Sequence, residues 1–188
     1  MLRNLLFLMP VLIFIFSSFL LYNNDIIIWE QGRALTWNDF KGKPAKRFAA
    51  ASTSYDIIKT INLLNKEAAI IKVQAVFFCN KSWKKKSWIS DFILTHEQRH
   101  FDIVELFSRK YRKLLIENKD ISIDNIEIIS DSLYSIIDIE MDNYHNKYDD
   151  ETEGSMNSNQ QIIWNSNILL EIKKLNKFKD TEFTLRFN

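Results

Sequence analysis

The chain is poor in cysteine and in net charge, and each shortage excludes a class of protein. Cys79 is the only cysteine among 188 residues, so no intrachain disulfide can form. It ends a strand-like apolar run, which predicts a buried thiol and a poor zinc ligand. The formal net charge is +1, with both signs interspersed, so the composition indicates no nucleic-acid partner.

The first 24 residues differ in character from the rest of the chain. Arg3 precedes an apolar run from Leu5 to Leu21, which polar residues then end. A charged start followed by such a run predicts export. No A-x-A-like cleavage site follows, so residues 1–24 are either a signal peptide or an uncleaved anchor in the inner membrane. We expect residues 25–188 to form a single domain on the periplasmic or extracellular face.

Histidine is also scarce, yet two of the three histidines fall in one motif. His96-Glu97-Gln98-Arg99-His100 fits H-E-x-x-H, the signature of a zinc-metalloprotease helix. Histidines four apart lie one above the other on a helix face, so both can reach one metal ion. Glu97 lies about 100° further round the helix and can act on water without binding the metal.

The segment that carries the motif has the pattern of an amphipathic helix. From Ser90 to Glu117 it contains no glycine or proline, and Ser90 or Asp91 is a suitable N-cap. Both histidines share the apolar stripe, which points to the interior. We expect the opposite side to be solvated; its polar residues are Gln98, Arg99, Asp102, Glu105, Arg109 and Arg112.

A third zinc ligand is required, and no histidine follows at the short metzincin spacing. A second helical pattern runs from about Asn125 to Tyr148, with Glu140 in the middle of its apolar stripe. A hairpin that turns near Asp120 puts Glu140 opposite the motif. We therefore predict Glu140 as third ligand, with Asp149 next and Glu151 also open, or else Glu140 as an ion-pair partner of a buried lysine or arginine.

The remaining pattern places strands before helices. Alternating apolar residues predict strands over residues 53–61 and 69–79, joined as a hairpin. A polar loop is expected over residues 149–159, then a third helix to about Leu175 and a closing strand over residues 181–187. The predicted fold is α+β and zincin-like: N-terminal antiparallel strands, an antiparallel helix pair carrying the motif, and a third C-terminal helix.

Several stretches form a wider pattern together with the motif. They are residues 35–44, Lys81-Ser82-Trp83, residues 96–103 with Glu105-Leu106, Tyr148-Asp149 with Glu151-Thr152, Gln161 and Trp164. Together they resemble a bacterial family, the domain of unknown function 922, whose members are described as predicted secreted zinc-dependent proteases. The resemblance covers about residues 34 to 170. In the family pattern a histidine stands at the position of Gly154. The resemblance implies that this chain lacks that histidine, so either His145 substitutes for it or activity is lost.

The motif predicts a specific chemistry. His96, His100 and an acidic residue hold Zn²⁺, which activates a water, and Glu97 serves as general base in the hydrolysis of a peptide or protein substrate. Tyr144 or His145 is expected to stabilise the oxyanion. The alternative is a non-catalytic anchored module in which zinc only clamps two helices. The sequence indicates no oligomeric state.

Overall fold

The computed structural model describes residues 25–46 and 48–187, and the predicted leader over residues 1–24 lies outside these ranges. Strands come before the helices, with one strand closing the chain, as in an α+β domain. In chain order the elements are β1 (Ile26–Ile28), β2 (Ala51–Ser52), β3 (Tyr55–Asn65), β4 (Ala68–Phe78), β5 (Trp83–Lys84), α1 (Asp91–Glu117), α2 (Ile126–Thr152), α3 (Ser158–Lys174) and β6 (Glu182–Arg186).

The predicted hairpin and closing strand are confirmed. β3 and β4 pair antiparallel over almost their whole length. β1 and β6 pair antiparallel with β4 on its other edge, so β4 lies in the centre of the sheet. The alternation of β4 buries one face completely: Ala69, Ile71, Val73, Ala75 and Phe77 are all 0–1% exposed. Cys79 is buried at the end of this strand, as expected.

β2 and β5 form a separate two-stranded ribbon, in which Ala51 faces Lys84 and Ser52 faces Trp83. Thr53 follows β2 directly, in the link to β3. This link brings the ribbon against the start of α1, because the Thr53 hydroxyl contacts Glu97. The ribbon thus forms a wall beside the motif without belonging to the main sheet.

The predicted motif helix is confirmed within a residue at its start. The Ser90 side chain accepts a hydrogen bond from the Ile93 amide at 3.2 Å, as an N-cap should. α1 and α2 form an antiparallel pair: Tyr111 bonds Ser130 near the connection, and His96 meets Asp149 at the far end. Among the described residues no helix is long and apolar enough to cross a membrane.

The expectation of a solvated polar side on α1 is wrong, because the sheet, α2 and α3 enclose the helix. Asp102, Glu105, Arg109 and Arg112 are all at most 3% exposed. Glu105 Oε1 accepts from Arg109 Nε and Arg112 Nη2, each at 2.7 Å. Both guanidinium groups also donate to backbone carbonyls of other elements. These charges are therefore paired internally, as burial requires.

Candidate metal centre

The two motif histidines converge as the spacing predicts. His96 and His100 are one turn apart on α1 and only 4% and 9% exposed. Their Nε2 atoms lie 3.2 Å from each other. Both rings therefore present the same nitrogen to one point, which is the arrangement that a shared metal ion needs.

Asp149 supplies the carboxylate at this point. Its Oδ1 lies 3.1 Å from His96 Nε2 and 3.0 Å from His100 Nε2. These three side chains form a group that could hold a metal ion. Asp149 is the alternative that the sequence predicts next after Glu140 for the third ligand. It lies on the last turn of α2 and not in the loop expected over residues 149–159, because α2 continues to Thr152.

Glu140, the preferred third ligand, does not approach the histidines. It is exposed and lines a different cavity, beside Lys110 and Glu171. The assumed hairpin register was wrong by more than one helical turn, since His100 meets His145 and not residue 140. The connection between the helices is centred later than Asp120, which displaces every pairing along α2.

Glu151, the remaining alternative, is also directed elsewhere. Its Oε2 accepts a hydrogen bond from Trp164 Nε1 on α3 at 2.8 Å. Lys147 lies 3.8 Å from its other carboxylate oxygen. Within the described ranges, Asp149 is therefore the carboxylate that joins the two histidines.

Gln161 of α3 fixes the tautomer of His96. Its Oε1 lies 2.8 Å from His96 Nδ1, and a carbonyl oxygen can only accept, so Nδ1 carries the proton. The amide is oriented because Gln161 Nε2 donates to the Tyr148 hydroxyl and to Asn165 Oδ1. His96 Nε2 is thus left with its lone pair facing Asp149.

His145 orients the ring of His100 in a similar way. The two Nδ1 atoms lie 2.9 Å apart. Burial lowers the pKa of His145 well below its ordinary value, and the nearby His100 adds to this effect. His145 is therefore neutral, and its Nδ1 can accept the His100 Nδ1 proton. That bond leaves the His100 Nε2 lone pair toward the shared point.

Asp149 and His100 are electrostatically coupled. Burial acts to raise the pKa of Asp149, but a proton on the Nε2 atom of His100 or His96 would be donated to this carboxylate, and these contacts outweigh burial and hold that pKa below its usual range. Burial likewise acts to lower the pKa of His100, yet the hydrogen bond and charge of Asp149, with the charge of Glu97, raise it overall. The centre therefore favours a positive charge at the meeting point.

The three ligand atoms lie slightly closer together than the ligands of a bound zinc ion would. Tetrahedral coordination with bonds of about 2.0–2.2 Å puts ligand atoms roughly 3.3–3.6 Å apart. The three separations here are 3.0, 3.1 and 3.2 Å. Two lone pairs and a carboxylate converge, and a cation would remove their mutual repulsion with a small outward movement. Three protein ligands also leave a coordination position for water.

Glu97 lies beside the centre without joining it. The Thr53 hydroxyl donates to Glu97 Oε2 at 2.6 Å, which orients the carboxylate. Glu97 is 5% exposed and lines the same cavity as the histidines. No sequence signal singled out Thr53, because a threonine between two strands is ordinary; only the fold brings it to the motif.

Tyr144, one of the two predicted oxyanion donors, faces away from the centre. Its hydroxyl donates to Glu171 of α3 at 2.8 Å, and its ring packs against Trp164. The tyrosine that does line the cavity is Tyr55 at the start of β3. Its ring stacks on His145 at 4.4 Å. Burial and nearby aspartates raise the pKa of Tyr55, so its phenol stays a proton donor.

One cavity of about 570 Å³ borders the two motif histidines, Glu97, Asp149 and their neighbours Thr53, Tyr55 and His145. The ribbon strand β2 forms one wall, and the segment after α2 forms another. Gly154 lines this second wall with a φ of 57°, and no atom lies within 4 Å of the position that a Cβ would take. A Cβ at position 154 would therefore meet open space beside the cavity.

No protein-family model, curated protein or solved structure matches this chain. The resemblance to the domain of unknown function 922 family therefore stays a prediction. The candidate centre stands on the geometry of His96, His100, Asp149 and Glu97 alone.

Proposed function

We propose that this chain is a zinc-dependent peptidase of zincin-like architecture. The observation that carries the proposal is the oriented Glu97 carboxylate beside a three-ligand centre that borders an open cavity. A purely structural zinc site is usually closed by four protein ligands and needs no general base. The family resemblance implies the same activity.

The residues divide the chemistry among them. His96, His100 and Asp149 would hold Zn²⁺, which as a Lewis acid polarises a carbonyl and makes water more acidic. Glu97 takes the proton of the attacking water, with Thr53 holding one carboxylate oxygen in place. Glu97 then gives that proton to the leaving amine. Tyr55 is the donor available to the developing oxyanion.

The N-terminal segment, residues 1–24, indicates the compartment in which this activity would operate. The apolar run from Leu5 to Leu21 supports export, and it would hold the domain at a membrane if it is not cleaved. We infer that peptide or protein substrates are met outside the cytoplasm. Fractionation of cells that express a tagged chain, with protease protection, tests this location.

The decisive experiment is the Glu97→Gln substitution in the zinc-loaded protein. The amide keeps the shape of the side chain but cannot accept the water's proton, so we expect peptide hydrolysis to fall by about 10²–10⁴-fold. Zinc content should be unchanged. The measurement is cleavage of a broad peptide pool followed by mass spectrometry, beside metal analysis of the same samples.

Glu117→Gln is the matched control, because it makes the same chemical change at the exposed end of α1. It should leave hydrolysis and zinc content as in the wild type. Equal cleavage by Glu97→Gln and wild type would contradict the role of Glu97. Zinc-loaded wild type that cleaves nothing in the pool would favour the alternative of a non-catalytic module with a structural zinc.

A further inference from the structure

The rim of the catalytic cavity exposes large apolar side chains. Phe48 is 86% exposed, Met156 is 72% exposed and Trp88 is 41% exposed, and all three line the same cavity as the histidines. Phe48 and Trp88 touch edge to face, with centroids 5.3 Å apart. Ile93 and the small side chains of Ala49 to Ala51 continue this apolar wall inward.

Such a surface costs free energy while it faces water. Burying a large apolar side chain is favourable by about 1.5–3 kcal/mol, and aromatic rings add specific edge and face contacts. A contiguous apolar patch on a soluble domain often marks a binding site. Here the patch and Glu97 line one cavity, so a substrate whose scissile bond lies at that carboxylate can contact Phe48 and Trp88.

The charges of the same cavity narrow the class of substrate. Its carboxylates include Asp142 and Glu153 as well as Glu97 and Asp149. Among the described residues, no lysine or arginine lines it, although Lys85 Nζ lies 4.7 Å from the centroid of the Trp88 ring. Bound zinc would offset Glu97 and Asp149, so Asp142 and Glu153 are the charges that oppose an acidic side chain, whereas an apolar side chain would cover the aromatic pair.

We propose that the Phe48–Trp88 pair binds a large apolar side chain of the substrate next to the scissile bond, and that peptides with an acidic residue there are poorer substrates. This inference rests on the proposed peptidase function. It adds a specificity surface, which neither H-E-x-x-H nor the metal ligands define.

The test uses quenched fluorescent peptide pools in which one position is fixed in turn as Phe, Leu, Ser or Asp. For the zinc-loaded wild type we expect kcat/KM to be highest with Phe or Leu and lowest with Asp. Phe48→Ala and Trp88→Ala should each lower kcat/KM for the Phe pool by about tenfold, the size expected for a lost apolar contact. Cleavage of the Ser pool should change little.

Phe92→Ala is the matched control. Phe92 is also an exposed aromatic residue, 38% exposed at the start of α1, but it does not line the cavity. It should keep the wild-type preference. Cleavage without an apolar preference, or an equal loss in Phe92→Ala, would overturn the specificity surface while leaving the peptidase function intact.

A binding measurement distinguishes a failure of the specificity surface from a failure of the peptidase function. Zinc-loaded Glu97→Gln is titrated with the Phe-fixed and Asp-fixed pools, and fluorescence anisotropy reports binding. Tighter binding of the Phe pool that Phe48→Ala abolishes, without cleavage by any variant, supports the surface and overturns the peptidase function. If the protein neither binds nor cleaves any pool, both the specificity surface and the peptidase function are overturned.

Discussion

At the scale of single residues, the centre is defined by what surrounds each nitrogen. His96 Nδ1 donates to Gln161, and His100 Nδ1 contacts the neutral His145, so both Nε2 atoms turn to Asp149. Partners of this kind commonly change metal affinity by about 10–100-fold when removed. His145 is thus a positioning residue here, although the sequence suggested an oxyanion donor.

The acidic ligand can be tested by comparing two isosteric substitutions on α2. We expect wild type to bind about one zinc ion per chain, and Asp149→Asn to weaken zinc binding by more than about 100-fold, because a direct ligand should cost more than an outer partner. Glu140→Gln should bind zinc as wild type does. Competition with a chromogenic chelator measures both affinities.

The same pair of variants discriminates between the two helix registers. Loss of zinc in Glu140→Gln together with retention in Asp149→Asn would contradict the observed arrangement and restore the register inferred from the sequence. Loss in neither would mean that the two histidines bind zinc without a carboxylate from α2.

At the scale of elements, the sequence predicted the types and approximate bounds of the helices and strands well. It did not predict which other elements cover them. The helical period defined α1, since Ser90 caps it and no glycine or proline interrupts it. The same period could not show that a second layer covers its polar side, because the partners of Arg112 are carbonyls of the sheet and of Phe178 after α3, which only the fold brings to it. Likewise, period alone does not set a hairpin register, which is why Glu140 was preferred to Asp149.

The buried charges of α1 should dominate its stability. In Glu105→Gln, the Arg109 and Arg112 guanidinium groups lose their shared carboxylate while remaining buried. Removing one partner of a buried ion pair costs about 3–5 kcal/mol. We expect the free energy of unfolding in urea to fall by that amount.

Glu117→Gln again serves as the reference at the end of α1. Its ion pair with Lys113 spans 3.9 Å and both side chains are about half exposed, so the expected loss is about 1 kcal/mol or less. Similar losses in the two variants would show that Glu105 contributes no more than a surface charge.

At the scale of the whole molecule, the centre joins parts that are distant in the chain. The link between β2 and β3 brings Thr53, α1 brings His96 and His100, α2 brings Asp149 and His145, and α3 brings Gln161. A metal ion at their meeting point would bind only when these elements are packed. Metal binding is therefore coupled to the stability of the entire domain.

Zinc should accordingly raise the melting temperature, and the rise should depend on pH. At a free zinc concentration 100 times Kd, linkage gives about 2.7 kcal/mol, or roughly 5–10 °C for a domain of this size. The pKa of His100 is raised above 6.5, so protons compete with zinc at its Nε2 at a higher pH than for an ordinary histidine. Asp149, with its lowered pKa, stays ionised throughout this range.

The direction of the pH dependence follows from these two pKa shifts. Zinc should stabilise more at about pH 8 than at about pH 5, because the protonated fraction of the His100 imidazole, whose proton zinc must displace, grows as the pH falls. Calorimetric scans with and without zinc at several pH values measure the rise, with Asp149→Asn as the variant that should show none. Because the Glu97 charge helps to raise the pKa of His100, Glu97→Gln should move the midpoint of this loss to lower pH. A rise that is equal at both pH values, or that persists in Asp149→Asn, would place the zinc at a site other than His100 and Asp149.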